Sequence, residues 1–237
     1  MKTIKFILLS LLVAATLTSC QKINGKGEVI RTSRDITGYN EIEMAFDATV
    51  YYTQGDYYSL EIEAQENLIG YIETTVKGND LVIREKNGIN FGKHDPIRIY
   101  ITAPGIISLD ISGSGAINVN QTWAGNDLST SISGSGTINI PNLQCNRITS
   151  DISGSGNIEM NGGSCNYEDF TISGSGNIDM WMVECDTTFA GISGSGDIYA
   201  NIRKLLDATI AGSGNIYYYG TPAINTQISG SGNIQRL

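Results

Sequence analysis

Apolar and polar side chains alternate with period two along most of the chain after residue 26. Between residues 27 and 110 the clearest runs are Glu41-Ile42-Glu43-Met44, Ser59-Leu60-Glu61-Ile62-Glu63, Asp80-Leu81-Val82-Ile83-Arg84 and Ile97-Arg98-Ile99-Tyr100-Ile101. Strict alternation in β-branched and aromatic types predicts half-buried strands. Turn signals at Gln54-Gly55-Asp56, Lys77-Gly78-Asn79 and Pro104-Gly105 separate them. The pattern leaves room for one short helix, around Glu66 to Glu73. No linker closes the region, because Leu109-Asp110-Ile111 runs straight into a repetitive C-terminal half.

From residue 111 the alternation is interrupted at regular intervals by Ile-Ser-Gly-Ser-Gly-x-Ile. Seven copies start at Ile111, Ile132, Ile152, Ile172, Ile192, Ile210 and Ile228, in steps of 21, 20, 20, 20, 18 and 18 residues; the sixth has Ala211 for the first serine. A fixed period near 20 with a glycine corner is the signature of a solenoid. The expected fold is all-β, a parallel β-helix with Gly-Ser-Gly corners joining two sheets. The flanking isoleucines point inward, as do Val119, Ile140, Met160, Met180, Ala200 and Tyr218, two places beyond the second isoleucine. Coils stack about 4.8 Å apart, so a rod of about 34 Å is expected. Stacking also aligns equal positions. Ala116, Thr137, Asn157, Asn177, Asp197, Asn215 and Asn233 form a ladder along which amides can hydrogen-bond.

The beginning of the chain has another pattern. Lys2 and Lys5 precede an apolar run from Phe6 to Leu17, which is short for a membrane span and suited to a signal peptide. It ends Leu17-Thr18-Ser19-Cys20, which resembles the bacterial lipobox. That resemblance implies cleavage before Cys20 and lipid attached to it, giving a membrane partner through the lipid alone. The chain then divides into a signal peptide (1–19), a lipidated linker (20–26), the N-terminal β region (27–110) and the repeats (111–237). Loss of the leader removes two lysines and no acid, so 13 basic and 24 acidic residues remain, a net charge of −11. Such an acidic body does not suit nucleic acid or anionic lipid. Gln21-Lys22-Ile23-Asn24 carries no acidic run, which leaves the periplasmic and outer faces of the outer membrane both open.

Few residues suggest chemistry. Cys145, Cys165 and Cys185 are spaced by 20 and 20 and should stack as a column. A buried thiol ladder is the expected reading, with one disulfide or a metal site as alternatives. The metal reading lacks a fourth ligand, since the lone histidine, His94, lies outside the repeats. No metal or cofactor is therefore expected. The repeated Gly-x-Gly precedes strands and not helices, which excludes a phosphate cradle. One glycine corner per turn, with Asp197 the only aspartate after it, does not match calcium-binding nonapeptides. Asp110, Asp151, Asp169 and Asp179 are the carboxylates that could serve glycoside chemistry. Asp110 and Asp151 fall two coils apart, about 9.6 Å at ~4.8 Å per coil, near the inverting separation. Tyr199 and Tyr217 share one repeat position, and Trp181 and Tyr219 another. Together they form a candidate ligand-contact face for a glycan or a protein.

The Ser-Gly-Ser-Gly-Asn-Ile repeats resemble the GIN head domain of a lipoprotein family from Bacteroidetes named for autotransporter adhesins. Residues 42–56, from Ile42 to Asp56, are similar to that family's opening strands. Ile99-Tyr100-Ile101-Thr102-Ala103-Pro104 is similar to its lead-in to the repeats. The resemblance covers residues 27 to 237. It implies a pectin-lyase-like β-helix without the catalytic residues of those enzymes, and a role in adhesion. The expected function is thus a lipid-anchored, non-catalytic surface-binding module. Two alternatives stand beside it: an envelope-organising protein of the periplasm, and a polysaccharide lyase or hydrolase using the aspartates. An uncapped final coil also invites self-association at the C-terminal end.

Overall fold

The computed structural model describes residues 21–237; the apolar leader and Cys20 lie outside the described residues. The repeats form stacked parallel coils. Each coil runs up one sheet to the first motif glycine, turns at Gly-Ser-Gly, and continues in a second sheet. In the first sheet Asp127–Gly134, Arg147–Gly154 and Gly163–Gly174 lie in register, with Ile132 beside Ile152 and Ile152 beside Ile172. In the second, Ala116–Val119, Thr137–Ile140 and Asn157–Met160 continue the stack. A short third ladder, Thr122–Ala124 on Asn142–Gln144 and then Gly163–Ser164, closes the coil. The early coils therefore have three sides where two sheets were expected. Alternation alone does not register the bend between Ile140 and Asn142. Further along, the third side merges with its neighbours into the long strands Asn177–Gly194 and Asp197–Gly212.

The inward positions follow the sequence pattern closely. Ile117, Ile138, Ile158, Ile178, Ile198 and Ile216 are fully buried. The set from Val119 to Tyr218 is buried too. The final coil departs from the pattern: Ile224 and Ile228 are 47% and 45% exposed, because no further coil covers them.

The corner depends on glycine for two reasons. At Gly174 φ is +149°, and an added Cβ would sit 2.2 Å from the Gly154 carbonyl oxygen. At Gly176 φ is ordinary, yet a Cβ would meet the Gly156 oxygen at 2.2 Å and the Ile152 side chain at 2.7 Å. Backbone stacks on backbone here, with Ser175 N–H donating to Gly154 O at 2.8 Å.

At the other end the chain does not follow its own order. Glu41–Met44 pairs with Ser108–Ile111 on one side and with Asp80–Glu85 on the other. Thr49–Gln54 is likewise flanked by Ala116–Val119 and Arg98–Ala103. The coil of residues 41–54 thus lies between a later coil and the repeats. Antiparallel strands Ser59–Gln65, Val29–Arg34 and Ile72–Lys77 then cover this end. The short helix is Glu66–Ile69. Among the described residues, no helix is long and apolar enough to cross a membrane.

Candidate functional site

The second sheet presents a flat outer surface whose columns are set by strand register. One column runs Tyr100, Tyr51, Asn118, Asn139, Glu159, Asp179, Tyr199, Tyr217. It holds an aromatic pair toward each end, with Glu61 beyond Tyr100 and Gln235 beyond Tyr217, and its middle is polar. Tyr51 and Tyr100 stack at 5.4 Å, and Tyr199 and Tyr217 at 4.9 Å. Between them Asn139 donates to Asn118 at 3.0 Å. The neighbouring column is the expected amide ladder, in which Asn177 donates to Asn157 at 3.2 Å and Asn215 to Asp197 at 3.0 Å.

The four aromatic residues singled out in the sequence come together on this surface. Trp181 and Tyr219 lie 6.0 Å apart, beside the Tyr199–Tyr217 stack. Trp181 owes its position to repeat length. The coil beginning at Asn177 is 20 residues long and the next only 18. The surplus is absorbed where Met180 pairs with Ala200 but Glu184 with Asn201. Such a bulge re-aims side chains: Val183 turns inward, while Trp181 and Met182 are left 40% and 46% exposed. Asp179 stands beside Tyr199, and partial burial raises its carboxyl above the usual range. The result is an aromatic patch with carboxylates of Glu159, Asp179 and Asp197 along its border.

Of the candidate catalytic carboxylates, Asp151 and Asp169 lie near each other on the first sheet, where burial and then the charge of Asp169 raise the Asp151 carboxyl, while Asp110 and Asp179 stand apart from them. Asp110 and Asp151 belong to the outer column of the first sheet, with Ser131 between them. Burial raises the Asp110 carboxyl, and the Ser108 hydroxyl donates to it at 2.8 Å. Asp169 lies in an adjacent column opposite Phe189, and Asp179 is on the other sheet. His94 sits near Phe91 at the N-terminal end.

The cysteines do stack, and a partner not foreseen joins them. Cys165 pairs with Cys185 across adjacent coils. Cys145 precedes them, its amide donating to Ser164 O at 3.3 Å. All three are free thiols. Glu168 is fully buried beside them, in an inward column otherwise made of Leu128, Ile148, Thr188 and Leu206. It accepts from the Thr188 hydroxyl at 2.7 Å and from the Cys165 thiol at 3.6 Å. Burial, and next the nearby Cys185, hold its carboxyl well above the ordinary range.

Comparison with known proteins agrees with this architecture. The family described as "Putative auto-transporter adhesin, head GIN domain" matches residues 38–222. The chain belongs to this family. A solved structure of a "putative adhesin" from Bacteroides fragilis is similar at 24% identity and a TM-score of 0.84, covering 91% of this chain and 100% of that one. A "putative lipid binding protein" from Parabacteroides distasonis is similar at 26% identity and 0.78, covering 92% and 100%. A "putative adhesin" from Parabacteroides merdae is similar at 21% and 0.74, covering 91% and 99%. No curated protein matches the chain. Within this GIN domain the sequence reading missed three features: the Tyr51–Tyr100 stack, the exposed Met182 and the buried Glu168. The shortened step after Ile192 was the signal for the bulge. For Glu168 it was the spacing of 20 from Ile148, an inward isoleucine.

Proposed function

We propose that this GIN-domain protein is a lipid-anchored, non-catalytic adhesin of the outer membrane, which binds glycans through the patch of Trp181, Tyr199, Tyr217 and Tyr219. The observation that carries this reading is the patch itself. Two ring pairs sit on a flat sheet, and a repeat-length change lifts Trp181 into solvent. Sugar rings present apolar C–H faces that stack on such rings, and the flanking carboxylates of Asp179 and Glu159 accept their hydroxyls. Rigidity favours the role: backbone and Asn ladders hold the rings in place, so little ordering entropy is lost on binding. Only Asp151 and Asp169 approach each other among the candidate carboxylates, with Asp110 two coils from Asp151 and Asp179 on the other sheet, and no histidine lies in the repeats; this supports binding without turnover, because acid–base chemistry needs convergent groups.

The anchor is tested with Cys20→Ala. The unmodified protein should fractionate with the outer membrane and be cleaved by protease added to intact cells. Cys20→Ala should appear as a soluble form or an uncleaved precursor. Normal cleavage with retention in the membrane would reject lipid on Cys20. Protection from protease until the outer membrane is broken would reject surface adhesion and favour the periplasmic role.

A further inference from the structure

We propose that Cys165, Glu168 and Cys185 form a buried binding site for a thiophilic divalent cation of the zinc type. Their three ligand atoms, two thiol sulfurs and one carboxylate oxygen, lie within 4.8 Å of one another, and all three residues are buried. The spacing suits one ion. A tetrahedral centre with Zn–S of about 2.3 Å and Zn–O of about 2.1 Å sets sulfur and oxygen ligands about 3.6 Å apart. Cys165 Sγ and Glu168 Oε1 are 3.6 Å apart.

Packing gives an independent argument. Glu168 occupies an inward position where neighbouring coils place Ile148, Thr188 and Leu206. A buried carboxyl in such a column is costly unless it has a partner. Hydrogen bonds from a hydroxyl and a thiol serve Glu168 as a neutral carboxyl, and a cation between it and the two sulfurs would hold it as the carboxylate. Thr188 holds the other carboxylate oxygen at 2.7 Å, the kind of outer contact that fixes a ligating carboxylate. The donor set of two thiolates and one carboxylate selects zinc over magnesium or calcium. Cys145, one coil away, is the nearest further thiol in the column. Glu168 is the ligand that the cysteine spacing alone did not show, and with Cys165 and Cys185 it makes a set of three.

Because the ligands are buried, the ion must enter while the coils are open. The experiment uses full-length protein in detergent, unfolded with chelator and reductant, then refolded with or without equimolar zinc. After desalting, the wild-type protein should retain one zinc per chain and melt at a higher temperature than the metal-free form. Cobalt in place of zinc should give thiolate charge-transfer absorption. Glu168→Gln, which preserves shape, should weaken zinc binding on the order of 100-fold or more. No zinc retained by refolded wild type would overturn the proposal. So would equal binding by Glu168→Gln, or a Cys165–Cys185 disulfide in protein isolated from its own envelope.

Discussion

At the scale of single residues, each corner glycine from Gly134 onward is held to its identity by the glycine beneath it. A Cβ at Gly174 would need both a left-handed backbone and space already taken by the Gly154 carbonyl. Gly174→Ala should destabilise the protein by at least about 2 kcal/mol, combining backbone strain with overpacking. Gly191 is the internal control. It lies in an outward column beside Thr171 and Thr209, and a Cβ there would come no closer than 3.7 Å to Phe170 O. Gly191→Ala should change stability by less than about 0.5 kcal/mol, or raise it. Denaturant unfolding of the pair separates glycine needed for geometry from glycine merely present. The corner and its inward isoleucines were legible in the sequence because one motif recurs with the same neighbours. Glu168 was not, because Tyr167-Glu168-Asp169 reads locally as a polar run. Only its register with Ile148 shows that it points inward.

At the scale of elements, stability should fall off toward the open end. The strand Gly163–Gly174 is paired on both sides, and inward residues such as Phe170 and Ile172 are buried. Ala223–Gly230 pairs on one side only and is exposed throughout. Hydrogen exchange should therefore be at least about ten-fold faster in Ala223–Gly230 than in Gly163–Gly174. Equal protection would mean that something covers the last coil. The opposite end is closed by antiparallel strands, and here the sequence was least informative. Period-two alternation identified Glu41–Met44, Ser59–Gln65, Asp80–Glu85 and Arg98–Ala103 as strands. It carried no sign that residues 41–54 would lie between residues 80–103 and the repeats. Alternation states which side of a strand is buried; partner choice depends on contacts remote in sequence.

At the scale of the whole molecule, the repeat builds a stiff scaffold and its irregularities build the surface. Regular coils place Asn above Asn and Ile above Ile. The single change from 20 to 18 residues breaks that regularity, and the bulge it forces sets Trp181 beside Tyr219. Trp181, Tyr199, Tyr217 and Tyr219 could be named from the sequence as equivalent repeat positions. Their exposure could not, since it depends on where the surplus residues are extruded. The central claim is that this patch is the contact surface. It is tested most directly by glycan-array binding of the wild-type protein and of a variant with all four residues changed to Ala. At about 1 kcal/mol or more for each of the four rings, binding should fall about 1,000-fold while the far-UV spectrum stays β. Undiminished glycan binding by the folded variant, or binding only to a protein partner, would contradict the account.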